Sequence, residues 1–259
     1  MFSPLSLEII LALIATGAKG TTADELYSAL RLSSDRNETN KIFSTVLPVL
    51  KSSNKGFSLS SANRIFIDQN FVSKNGFSKL ATDVYDVDIQ NLDFKNSVES
   101  SRTINEWVKQ QTNDKIKNLI SSSDVDANAR LILVSTIYFN ANWSLQFDPL
   151  DIKSALFYMD KKRVVEVDMM ESIDEYDYYE SKELNAQFLK LPYVGKEYSM
   201  IIVLPKNKEG LDFLEQNILD VLKPKNFTKK FVAVSLPKFK SETSIKLVPI
   251  LKKVSKFRF

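Results

Sequence analysis

The chain has 259 residues, 44% of them hydrophobic and 26% charged, with a formal net charge of +3. That length supports a large core in one or two domains, and so small a charge gives no argument for nucleic acid. Cys and His are both absent, which excludes disulfides, thiolate nucleophiles, Cys or His metal ligands and any Ser-His-Asp triad.

Charge is unevenly spread. From Val221 onward eleven Lys or Arg face one acid, Glu242, whereas the residues before hold 24 basic against 31 acidic. A basic end of this kind suits weak polyanion binding, with a solvated strand face as the simpler reading. The acidic pair Asp174-Glu175 and Glu242 suit solvated loops better than acid–base catalysis, so the chain does not read as an enzyme and calls for no cofactor.

Ser3 is the expected N-cap of a first helix, with Pro4 at its first position and Gly17 and Gly20 closing it. Its apolar run, Leu5 to Ala18, has no basic residues before it and is interrupted by Glu8. It reads as a buried helix, not a signal peptide, and is too short to span a membrane. Thr21 or Thr22 is the expected cap of a second helix, with Asp24 and Glu25 in its first turn. A third helix is expected from Thr39 to Leu50, weakened near Pro48.

Phe57 to Asp68 alternates as a strand. A short helix (73–85) and a short strand (88–94) follow. Glu99 to Ile120 is amphipathic, with Ile104, Trp107, Val108 and Ile116 near one stripe, and should bend or stop near Asn113-Asp114. Leu131 to Phe139 has apolar or β-branched residues at both alternating sets of positions, which predicts a central strand covered on both faces. Further strands are expected at 155–158, 164–170, 176–179, 186–191 and 199–204. A helical stretch at 210–222 precedes a strand at 231–239, with 243–247 as its continuation. Helices first and strands later give an α+β domain.

Nine short stretches carry a resemblance. They are Ser-Pro-Leu-Ser at 3–6, Gly-Ala-Lys-Gly-Thr at 17–21, Ala-Asn-Arg-Ile-Phe at 62–66, Ile-Asn-Glu-Trp at 104–107 and Ile-Tyr-Phe-x-x-x-Trp at 137–143. Met169-Met170, Leu191-Pro-Tyr193, the run 199–205 and Leu-Pro-Lys-Phe-Lys at 236–240 complete the set. In this order they resemble the serpin family, arthropod serpins most of all.

The resemblance implies helices packed on a large central mixed sheet with additional smaller sheets. It implies a serine protease inhibitor whose exposed loop is cleaved as bait and then inserts as a new strand into that sheet. Serine proteases are then the expected partners, and an extracellular location is expected, with a cytoplasmic one as the alternative. In that picture Leu131–Phe139 is a strand beside the gap and Glu99–Ile120 is the helix crossing it, packed through Asn105 and Trp107. Ser3, Ser6 and Ser135 stand at the shutter where strands part, and Trp143 stands at the breach where insertion begins.

Departures are visible. Where the family usually has Asn, this chain has Ser135, which reaches less far and has no amide donor. Asp114 stands where a Gly usually ends the crossing helix. No hinge like Glu-Glu-Gly-Thr-Glu-Ala occurs. Residues 1–259 therefore read as one serpin domain, incomplete at both ends, without the first helix, the reactive loop or the last strands. A non-inhibitory binding or carrier serpin, or an inactive truncated product, is the alternative reading. Asn37 and Asn226 sit in glycosylation sequons, as does Asn142, which is the weakest because it follows a buried strand.

Overall fold

The computed structural model describes residues 3–50, 56–159, 162–240 and 247. They form two compact units, one of residues 3–50, 58–140 and 247, the other of 56–57, 141–159 and 162–240.

In the first unit, helix α1 (Pro4–Gly17) is apolar nearly all round, and Ile9, Ile10, Ala12 and Leu13 are almost fully enclosed. Ser3 caps it by accepting the Ser6 N–H at 3.3 Å. At Gly17 a β-carbon would fall 2.6 Å from the Phe77 ring, so only glycine permits that approach. Helix α2 (Gly20–Ala29) starts earlier than expected: Gly20 adopts φ +58° and Lys19 is the N-cap, so neither Thr21 nor Thr22 caps it and Asp24 and Glu25 lie beyond its first turn. Helix α3 (Arg36–Val46) is capped by the Asp35 side chain, and Pro48 falls in the 3₁₀ turn that follows.

Strand β1 (Phe57–Asp68) pairs in parallel with β2 (Val87–Leu92), with helix α4 (Asn75–Asp83) between them in sequence. Helix α5 (Ser97–Gln111) is capped by Asn96, which accepts the Glu99 N–H. It stops where Asn113 and Asp114 turn left-handed, at φ 48° and 61°, so the segment to Ile120 is not helical. Strand β3 (Leu131–Ala141) completes the order β2-β1-β3. It runs antiparallel to β1, because the Asp68 N–H reaches Arg130 O while the Thr136 hydroxyl reaches back to Ala62 O.

The central position expected for Leu131–Phe139 is corrected here. Among the described residues β3 is the edge of a three-stranded sheet. Leu131, Ser135 and Phe139 are exposed, while Val134 and Thr136 are buried. Its faces are covered only in part: Leu133 joins the α1 core, and Ile132 and Val134 join the α5 core.

The second unit is built on one long strand. β5 (Val164–Ser181) merges the two strands expected at 164–170 and 176–179. It pairs antiparallel with β4 (Ile152–Tyr158) near its start, with β6 (Ala186–Pro192) near its end, and with β8 (Thr228–Pro237) between. β7 (Ser199–Pro205) pairs with β6. Two short helices, α6 (Leu211–Gln216) and α7 (Ile218–Leu222), lie between β7 and β8 in sequence, and Leu214 and Val221 pack with Phe188. The strand continuation expected at 243–247 lies almost wholly outside the described residues.

Candidate functional site

Alternation along β1 builds the first part of the site. Ser61, Asn63 and Ile65 share one face of the strand, and Ile65 packs in the α1 core. Ser6 of α1 is buried and lies 3.3 Å from the Ser61 hydroxyl, and the Ser3 hydroxyl lies 2.9 Å from Ser6. A row of small hydroxyls thus joins helix to sheet inside an otherwise apolar layer.

Asn63 ends this row. It is 5% exposed, and its Oδ1 is buried with no hydrogen-bond partner among the described residues. The Asp68–Arg130 and Thr136–Ala62 bonds set a register that places Ser135 opposite Asn63. The structure therefore brings Ser3 and Ser6 together with Ser61 and leaves Ser135 out, exposed on its edge strand. Ser61 and Thr136 went unmarked at the level of sequence, and Asn63 stood there only within the 62–66 motif; the period-two alternation of β1 was the signal for Ser61 and Asn63.

Above the opposite face of the sheet lies α5. Trp107, 6% exposed, meets the Phe66 ring edge-on at 6.0 Å. Asn105 is fully engaged. Its amide donates to Ile120 O at 2.7 Å, and its oxygen accepts the N–H groups of Leu119 and Ile120. It clips the non-helical return segment to the helix, which gives the two motif residues separate tasks.

Trp143 belongs to the second unit. Its indole stacks on Tyr193 with centroids 4.6 Å apart and planes 11° from parallel. The pair is framed by backbone bonds from Ser144 N to Pro192 O and from Val194 N to Asn142 O. Burial raises the Tyr193 phenol above its ordinary range.

Among the described lysines after Val221, several are paired. Lys223 pairs with Asp220, Lys229 with Asp177 at 3.3 Å, and Lys230 stands over the Tyr178 ring. Asp174 is half-buried and accepts the N–H of the exposed Glu175, while Glu242 lies outside the described residues. Asn37, Asn226 and also Asn142 are exposed, so the buried setting expected for Asn142 is not found. Among the described residues no helix is long and apolar enough to cross a membrane.

Comparison with known proteins matches residues 1–256 to the family model Serpin (serine protease inhibitor). Serine protease inhibitor 42Dd of Drosophila melanogaster is 32% identical over 97% of this chain and 68% of its own length. Antichymotrypsin-2 of Bombyx mori is 33% identical over 93% and 65%. The chain thus spans about two thirds of the length of these relatives. The crystal structure of Serpin48 from the insect Tenebrio molitor superposes with a TM-score of 0.91 at 36% identity, over 98% of this chain and 69% of that one. Uncleaved ovalbumin shares the fold at a TM-score of 0.86 and 23% identity. The α+β architecture, the ordered motifs and these matches together place the chain in the serpin family.

Proposed function

We propose that this chain is the scaffold of a serpin-type serine protease inhibitor, working in the whole protein by insertion of a cleaved loop beside β3. The carrying observation is the edge position of β3, with α5 packed on one side and the hydroxyl row of Ser3, Ser6 and Ser61 on the other. An edge strand presents a line of backbone donors and acceptors, and adding a strand satisfies them, which supplies the drive for insertion. Relatives whose names state protease inhibition support the reading.

Residues 1–259 carry no hinge of the family's kind, so the bait is proposed to lie outside them, as do the first family helix and the last strands. Incubation with trypsin, chymotrypsin and elastase, followed by a denaturing gel, tests this. The 259-residue chain should give no denaturant-resistant complex, and the same chain carrying a family hinge and loop should give one. No complex from the extended chain with any of the three would contradict inhibition.

A second reading, a non-inhibitory binding or carrier serpin, is favoured by the exposed Ser135 where the family usually has Asn. An extended chain that stays stable and uncleaved with all three proteases would support it. An extracellular location, with glycans on Asn37 and Asn226, belongs to the same proposal. Weak polyanion binding would show as retention on a heparin column, and elution at low salt would dispose of it.

A further inference from the structure

Arg64 lies on the α5 face of β1, between two groups that fix it. Its guanidinium donates to Asp88 Oδ2 at 2.8 Å and to Gln90 Oε1 at 3.0 Å, both on the neighbouring strand β2. The same guanidinium stands 5.0 Å from the centre of the Trp107 ring. The Arg64 side chain is 21% exposed and that of Asp88 67% exposed. Its Nε is buried with no partner among the described residues. A planar, always-charged fork can bond two acceptors and stack on an indole at once, and a lysine cannot.

We propose that Arg64 is a positioning residue that fixes the lateral place of the crossing helix. It takes its own place from β2 through Asp88 and Gln90, and passes that place to α5 through Trp107. Asn105 does not do this, because it ties α5 only to the chain segment that follows. Ser100 ties the first turns of α5 to Asp93 O, just before the helix, and the contacts of Ile104, Trp107 and Val108 with the apolar side chains of the sheet are non-directional. The cation therefore gives the helix its register over the sheet, so that α5, β1 and β2 shift as one body when a strand enters. The value of that coupling rests on the insertion reading; the pin itself does not.

Amide hydrogen exchange on the 259-residue chain tests the pin without any protease. Arg64→Met keeps the bulk of the side chain and removes the charge. It should speed exchange along α5 by about tenfold, the scale of one desolvated cation–π contact, and leave α1 unchanged. Arg64→Lys should recover only part of the protection. Raising salt should speed α5 exchange in the parent chain and not in Arg64→Met, because the Asp88 pair is exposed to screening. Asp88→Asn, a milder change at an exposed site, should loosen α5 in the same direction. Unchanged α5 exchange in Arg64→Met, or an equal rise in α1 and α5, would overturn the proposal. Full recovery by Arg64→Lys would also overturn it. Faster α5 exchange in Arg64→Met, with complex formation unchanged when the same substitution is made in the chain extended by a family hinge and loop, would count against the insertion reading alone.

Discussion

Asn105 and Ile120 hold each other twice: the Asn105 amide donates to Ile120 O at 2.7 Å, and the Asn105 oxygen accepts the Ile120 N–H at 3.1 Å. With Leu119 N–H added, one side chain closes the loop of residues that α5 leaves behind. Asn105→Ala should cost about 2–4 kcal/mol, the sum expected for several part-buried bonds and the backbone groups they leave open. Asn105→Asp keeps the acceptor and loses the donor, so it should cost less. Urea denaturation checks both, read as a fall in midpoint with the slope unchanged.

Asp68 ends β1 beside Arg130. The Asn70 side-chain amide, then the Asn70 N–H, donate to its carboxylate and hold its pKa below the usual carboxylate range. A carboxyl whose folded pKa is depressed adds stability above its unfolded value of about 3.9. That stability is lost as pH falls through the folded pKa. Asp68→Asn should therefore flatten the acid limb of the stability profile below about pH 4 and lower stability at neutral pH. An unchanged acid limb would show that the Asn70 bonds do not hold the charged form.

Ser135 and Asn63 face each other across β1 and β3, yet Asn63 Oδ1 has no partner among the described residues. Restoring an amide with Ser135→Asn supplies a donor long enough to reach it. Thermal unfolding should shift upward, by an amount equivalent to about 1 kcal/mol. Asn63→Ala, which deletes the buried group, should abolish the gain from Ser135→Asn. Additive effects of the two changes would contradict the pairing.

Several large apolar side chains lie open in the second unit, among them Leu219 at 78%, Leu222 at 72% and Phe231 at 81% exposure. Burying even a few hundred Å² of such surface is worth several kcal/mol at about 25 cal/mol per Å², which rivals the stability of an ordinary domain. The 259-residue polypeptide should therefore bind a hydrophobic dye and self-associate as its concentration rises. A chain that stays monomeric at high concentration with no dye binding would contradict this.

The helices were legible because their signals are local. Ser3, Pro4 and the run behind them mark α1 whatever surrounds it, and Asn113-Asp114 mark the end of α5. The place of β3 was not legible, because an apolar run on both faces reports covering and not the number of strand partners. The break expected between 170 and 176 was absent, since pairing with β8 carries β5 straight through. The hydroxyl row was half legible: Ser3 and Ser6 lie in one short motif, but Ser61 meets them from 55 residues away. Arg64 stood in the sequence only as part of the 62–66 motif, and its acceptors and its indole are brought to it by pairing with β2 and packing under α5.

Per-residue amide exchange along Leu131–Ala141, before and after addition of a peptide carrying Glu-Glu-Gly-Thr-Glu-Ala and a following run of small residues, bears most directly on whether β3 is an edge ready to take a strand. Protection in the chain alone should alternate, high where an amide points to β1 and low at the next residue, and the peptide should protect the low set. Uniform protection along β3 before any addition, or no change afterwards, would contradict the account.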